Sequence, residues 1–290
     1  MDTWLQLDDA LLIDPETVRF GPSPDETPTP RAAQALGDAV DVWSIDLAPD
    51  DATVARCRAR LSVDEIAKVD RFHFDRDRRR ATVARGALRV LLGGYLDRAP
   101  EALRFVYGPQ GKPFLAGAGG QADPDAPSFN VSHSEDRALI AVTRAVSARL
   151  DAIGVGVDVE RVRAMPDGLD IAEHFFAAGE RATLRQVLTA APSAQQAVVG
   201  SATFFRCWTR KEAYLKATGK GLSLPLDRFE VSLVPGTPAR MRALDGDVEA
   251  ARDWTLVHLA LDREHLGALA LPRAAIGAVR GWQLAPERLR

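Results

Sequence analysis

Before and after about residue 150 the chain repeats one order of patterns, a long stretch of helical periodicity with segments of strand alternation after it, which permits a two-lobed α+β architecture. In the first half, Ala84, Leu88, Leu91, Leu92 and Tyr95 recur at helical intervals and predict a helix over residues 78–96. A shorter helix is predicted to start at Ser62, where Ser62 and Glu65 have capping-box spacing. The runs VDVWSIDL (40–47), FVYGPQGKPF (105–114), SFNVSHS (128–134) and RALIAVTRA (137–145) read as strands and turns. In the second half the strand IGVGVDVE (153–160) precedes helical patterns over 169–188 and 204–217, and FEVSLV, WTLVHLAL and LGALAL follow as strands. The domain reading is an N-terminal extension, partly irregular, over residues 1–38, an N-terminal lobe over 39–150 and a C-terminal lobe over 151–290. The Pro, Asp and Thr content of the extension predicts loops. A mobile loop is predicted for the Ala/Ser/Gln-rich stretch 189–203, and a peripheral tail from about Arg273.

Composition narrows the class of function. Hydrophobic residues make up 46% of the 290 and charged residues 27%, the mix of a globular chain able to bury its own core. The net charge of −3 argues against bulk binding to nucleic acid or to an anionic membrane. The two cysteines, Cys57 and Cys207, fall within helical patterns and provide neither a disulfide framework nor a zinc cluster. The N-terminus lacks a basic region followed by a long apolar run, and no stretch approaches the ~18 apolar residues of a membrane span. The predicted location is cytoplasmic.

Four segments carry chemistry. In VGVDVE, Asp158 and Glu160 stand two apart on a strand and project from one face. Such a pair suits a divalent cation, which supplies the compensating charge, and is equally read as two solvated acids at a strand end. The helix FFRCWTRKEAYLKATG sets Trp208, Glu212 and Lys216 four apart on one face, beside a stripe of Phe204, Cys207, Lys211 and Leu215. Phe204, Phe205, Leu215 and Trp208 read as core; Glu212 and Lys216 read as chemistry rather than an exposed ion pair. In SFNVSHS, Ser132 and His133 offer a hydroxyl and an imidazole that can donate to phosphate oxygens, and no G-x-S-x-G elbow surrounds Ser132. From Arg71 to Arg89 seven arginines stand against two aspartates at the opening of a helix, where anions are favoured. A solvated helix face accounts for several of these; Arg80 and Arg79 are the candidates for more, and Lys112 adds a cation in a Gly/Pro turn.

Taken in order, GKP at 111–113, FNVSHS at 129–134, GVGVDVE at 154–160 and FFRCWTRKEAYLKATGKGLSLPLDRFEV at 204–231 resemble the surfactin-type 4′-phosphopantetheinyl transferases. The pattern W-x-x-K-E-A-x-x-K at Trp208–Lys216, about fifty residues after G-V-D-x-E, is specific to that family. The resemblance implies two similar α/β lobes related by a pseudo-twofold axis, with coenzyme A in the cleft between them, and a monomer. It implies transfer of phosphopantetheine from coenzyme A to a serine of an apo acyl or peptidyl carrier protein, as in holo-[acyl-carrier-protein] synthases. Asp158, Glu160 and Glu212 would bind Mg2+, and Lys112, Ser132, His133 and Arg80 would contact the coenzyme A phosphates and nucleotide. Glu212, Lys216 and Asp158 would be catalytic, with Glu212 as base, directly or through a metal-bound water, and Lys216 neutralising the pyrophosphate and the departing 3′,5′-ADP. Lys211 would lie near the same phosphates or the carrier serine, and Met165–Leu169 would meet the carrier helix. Two departures touch the first lobe: Glu65 stands where some relatives have lysine, and Ala81 where a small hydroxyl residue can occur. A Mg2+-dependent nucleotide pyrophosphate hydrolase and a non-catalytic coenzyme A or carrier-binding module are the alternatives from residue type alone.

Overall fold

The computed structural model describes residues 3–22, 36–146, 148, 153–273 and 277–289. In chain order come α1 (Asp9–Leu12), β1 (Val18–Pro22), β2 (Val40–Asp46), α2 (Asp51–Ala59), α3 (Val63–Val69), α4 (Asp75–Leu96), β3 (Phe105–Tyr107) and β4 (Pro113–Leu115). Then follow β5 (Ser128–Ser134), β6 (Arg137–Thr143), β7 (Gly156–Arg161), α5 (Gly168–Phe175), α6 (Ala178–Ala190) and α7 (Gln196–Thr218). The chain closes with β8 (Phe229–Val231), β9 (Met241–Leu244), α8 (Val248–Ala251), β10 (Trp254–Asp262), β11 (His265–Pro272) and β12 (Val279–Gln283). The fold is mixed α and β, and the described residues divide into two compact units: one from 1–19 and 151–276, the other from 20–150 and 277–290.

In the unit built on residues 20–150, β5, β6 and β2 form an antiparallel run, and β12 pairs in parallel with β2. Phe20 and Gly21 of β1 pair in turn with Gly281 and Trp282 of β12. The predicted peripheral tail is therefore corrected: its strand lies inside the sheet. The physical reason is a polar junction that alternation cannot reveal, because buried Asp41 on β2 accepts from Arg280 Nε (2.6 Å), Trp282 Nε1 (3.1 Å) and the Tyr95 hydroxyl (2.6 Å). Helix α4 buries Ala84, Leu88, Leu91, Leu92 and Tyr95, the helical face predicted from their spacing, in one core with Trp43, Ile45, Phe129 and Ile140 of the sheet. Ser62 and Glu65 form the predicted capping box at the start of α3.

Glu65 also explains two of the basic residues. Its buried carboxylate receives Arg85 Nε at 2.5 Å and Arg89 Nε at 2.7 Å, and Arg89 donates again to the Pro100 carbonyl. These two arginines are internal supports of α3 on α4, since a buried guanidinium needs a partner of opposite charge.

In the other unit β7, β11 and β10 are antiparallel neighbours, and Val18 and Arg19 add in parallel to β10. Helix α7 packs across β7 and β11, with Phe204, Phe205, Ala213, Leu215 and Ala217 in a core shared with Leu256, Leu266, Ala268 and Ala270. Two expectations change here. The stretch predicted as a loop over 189–203 carries α7 from Gln196 onward, because alanine, glutamine and serine propagate a helix once its later turns are anchored in a core. The N-terminal residues predicted as loops include α1 and β1 and bury Leu7, Leu11, Leu12 and Asp14; residues 23–35 lie outside the described residues. Among the described residues no helix is long and apolar enough to cross a membrane.

Candidate active site

Strand β7 carries Asp158 and Glu160 on one face by its two-residue period, and α7 carries Glu212 and Lys216 one turn apart. What lets helix and strand approach is Gly156. A Cβ there would fall inside the van der Waals shells of the Ala213 carbonyl oxygen and the Ala217 amide nitrogen, so only glycine admits this contact between backbones. The consequence is that Lys216 Nζ meets Asp158 Oδ1 at 2.7 Å, with Asp158 buried and Lys216 part-exposed. Glu212 stands beside them, and its carboxyl pKa is raised by burial first and by the Asp158 charge second, with Lys216 pulling the other way.

Two carboxylates that repel and a third on the same strand face make an all-oxygen donor set, the chemistry a hard divalent cation prefers over thiolate or imidazole ligands. In the arrangement described, Lys216 supplies the positive charge at Asp158. Among the described residues no three carboxylate, imidazole or thiol side chains form a metal cage. The residue types fit Mg2+; the group brought into contact is Asp158 and Lys216, with Glu212 adjoining.

Lys211, predicted to face phosphates, is placed elsewhere. Its ammonium is wholly buried, paired with Glu180 Oε2 at 2.8 Å and donating to the carbonyls of Leu226 (2.8 Å) and Phe229 (2.6 Å). Glu180 meanwhile accepts from the Ala177 amide, capping α6, and from the Val231 amide of β8. The pair thus ties α7, α6 and β8 together, and the physical reason is helical phase: one residue before Glu212 points about 100° away from it, into the core. Trp208 is partly buried and packs against the core, stacked on Phe204 at 5.9 Å and edge-on to Phe175 at 6.3 Å.

The remaining candidates belong to the unit of residues 20–150. Arg80, on the first turns of α4, pairs with Glu135 Oε2 at 2.9 Å, and Glu135 turns the β5–β6 hairpin with a φ of 50°. Arg79 pairs with the exposed Asp51 at 2.6 Å. Ser132 is buried and His133 exposed on β5, consistent with alternate faces of a strand. Lys112 follows Gly111, whose φ of +79° a side chain would strain, and burial brings its ammonium pKa down to about 8.

A cavity of about 410 Å3 opens among α5, α6 and the start of α7, lined by Met165, Gly168, Leu169, Leu184, Leu188 and Phe204 among others. The supporting charges Glu65, Glu180, Asp14, Arg206 and Arg210 are missed by residue-type reasoning. Their one signal is position: Arg206, Arg210 and Lys211 interrupt an otherwise apolar helical pattern, and a charge at a core position implies a buried partner.

Comparison with known proteins follows the same residues. The model of the 4′-phosphopantetheinyl transferase superfamily matches residues 154–270, and that of the 4′-phosphopantetheinyl transferase N-terminal region matches 46–145. The chain is 36% identical over 256 residues to the 4′-phosphopantetheinyl transferase HetI of Nostoc sp., across 88% of this chain and 94% of that protein. It is 31% identical over 178 residues to a 4′-phosphopantetheinyl transferase of Bacillus subtilis, across 61% of this chain and 69% of the relative. With the L-aminoadipate-semialdehyde dehydrogenase-phosphopantetheinyl transferase of Xenopus laevis the identity is 29% over 230 residues, 77% of this chain and 72% of the other.

Proposed function

Because the chain belongs to the 4′-phosphopantetheinyl transferase superfamily, we propose that it moves the phosphopantetheine arm of coenzyme A onto a serine of an apo acyl or peptidyl carrier protein. It acts as a Mg2+-dependent cytoplasmic enzyme of holo-[acyl-carrier-protein] synthase type and works as a monomer. The observation that carries this reading is the partly buried Glu212 carboxyl beside the Asp158–Lys216 pair, with its pKa raised by burial and by Asp158.

The chemistry asks three things of the protein. A serine hydroxyl is a poor nucleophile near neutral pH, so a base must take its proton, and a carboxylate whose pKa is raised accepts it more readily than an ordinary one. Glu212 takes that proton as the serine oxygen attacks the phosphorus that bears the pantetheine arm. The bond from this phosphorus to the oxygen of the adenosine 5′-phosphate breaks, 3′,5′-ADP leaves, and a serine phosphodiester remains. Lys216 offsets the negative charge gathering on the departing oxygen by fixed electrostatics. Asp158, Glu160 and Glu212 would hold Mg2+, which when bound supplies Lewis-acid charge at the pyrophosphate. Arg80, Lys112, Ser132 and His133 supply donors for phosphate oxygens.

The test is direct: pure protein with Mg2+, coenzyme A and a panel of apo carriers, read by intact mass. A carrier gaining the mass of phosphopantetheine on its serine, with 3′,5′-ADP released, is the expected result. Pyrophosphate hydrolysis without a modified carrier, or coenzyme A binding without turnover, contradicts it.

In this reading the segment Met165–Leu169, at the rim of the cavity among α5, α6 and α7, contacts the carrier helix through its apolar residues. Met165→Glu puts a charge at this rim and is expected to raise KM for the carrier about 10-fold while leaving KM for coenzyme A unchanged. Unaltered steady-state kinetics toward the carrier would remove this assignment.

A further inference from the structure

Helix α7 carries Glu212 and Lys216, so whatever fixes the rotation of that helix fixes the site. One fixed point is Gly156 against Ala213 and Ala217. A second lies one turn earlier, where Arg206 and Arg210 share the face that Ala213 and Ala217 continue. Both guanidiniums are fully buried and both end on one carboxylate from the N-terminal segment. Asp14 Oδ2 receives Arg206 Nε at 3.0 Å and Arg210 Nη2 at 2.6 Å, while Asp14 Oδ1 receives Arg206 Nη2 at 3.2 Å and the Gly236 amide at 2.8 Å. The arginines reach further, Arg206 to the Leu11 carbonyl at 2.7 Å and Arg210 to the Ser232 carbonyl at 2.7 Å. His258, packed against the same group, bonds the Leu12 carbonyl through Nε2 at 2.9 Å. The same N-terminal segment also secures the far end of β7, with the Leu5 amide on the Val162 carbonyl (3.0 Å) and the Ala164 amide on the Thr3 carbonyl (2.8 Å), directly after Glu160 and Arg161.

We propose that Asp14 is a positioning residue for the transfer reaction, holding α7 in rotation through Arg206 and Arg210 so that Glu212 and Lys216 meet Asp158; the role rests on the function proposed above. The physical case has two parts. Buried ion pairs add little stability over apolar residues of similar volume, so three charges retained in this core are better accounted for by the geometry they impose. The geometry is also sensitive: a carboxylate about 5–6 Å from a helix axis moves about 1 Å for each ~10° of rotation, and a displacement of that size lowers turnover by up to about 100-fold.

The experiment compares wild type with Asp14→Asn and with a variant joining Asp14→Leu, Arg206→Met and Arg210→Met, which removes all three charges at once. Steady-state transfer, thermal melting and amide hydrogen exchange over α6 and over residues 206–218 of α7 are read on each. Asp14→Asn is expected to lower kcat at least about 10-fold with KM for coenzyme A within about threefold of wild type. The apolar triple variant, which takes these partners from the Leu11 and Ser232 carbonyls and the Gly236 amide, is expected to melt lower yet stay folded at the assay temperature, to show faster exchange along α7 than along α6, and to lose kcat to the same degree while folded, a combination that a purely stabilising role would not produce. A triple variant that folds and keeps kcat within about twofold of wild type overturns the proposal, as does unchanged exchange along α7; should Asp14→Asn not fold, the triple variant decides. A wild type that modifies no carrier overturns the function reading itself, a result distinct from either.

Discussion

Glu212→Gln is expected to lower kcat for carrier modification by about 10^2- to 10^4-fold, the range for loss of a general base, and to leave the protein melting no lower than wild type. The second half of the expectation follows from the sign of the pKa shift. Burial and the Asp158 charge raise the Glu212 pKa in the folded protein. The folded carboxyl therefore binds its proton more tightly than the unfolded one, and its ionisation costs stability as the pH rises through the folded pKa. A neutral glutamine of the same shape removes that cost. Activity and stability are set against each other at this residue, as they are wherever a charge is kept in place for chemistry. Measured kcat within about threefold of wild type, or a marked drop in melting temperature at neutral pH, would dismiss the role.

Gly156→Ala is expected to be the most damaging single methyl group in the C-terminal half. The new Cβ has backbone on both sides, the Ala213 carbonyl and the Ala217 amide of α7, and neither can yield as a flexible side chain would. Strand and helix must separate, at a cost of about 3 kcal/mol by the overpacking of a filled interior. The separation pulls Asp158 away from Lys216 and Glu212, so transfer is expected to fall at least about 10-fold even at temperatures where the variant is folded. Thermal melts and single-turnover transfer check both parts; a variant matching wild type in both would show that the strand–helix approach is not tight.

Much of this was legible in the chain. The capping box at Ser62 and Glu65, the apolar face of α4 and the β5–β6 hairpin follow from local spacing, because cap geometry, helical period and strand alternation each involve neighbours within a few residues. The N-terminal segment, the start of α7 and strand β12 were not legible, and they share a cause. Each is held by partners far along the chain: Asp14 by Arg206 and Arg210, β12 by Asp41, and the residues before Phe204 by a core that accepts a helix over a polar, alanine-rich stretch. Lys211 shows the same limit inside the motif itself. Its neighbours in sequence are site residues, yet its partners, Glu180 and the carbonyls of Leu226 and Phe229, assign it to the core.

By itself the sequence determined the family, the mixed α and β class and the residue types available for chemistry, since a motif of fixed spacing on one strand and one helix already commits carboxylates and lysine to particular faces. Only the tertiary structure decided which of those charges meet. Lys216 reaches Asp158 because a glycine lets β7 and α7 touch, while Lys211, Arg206 and Arg210 pair with Glu180 and Asp14 inside the core. The physical reason is that a charge takes its role from its nearest opposite charge and from the water removed around it, and both are properties of packing in three dimensions.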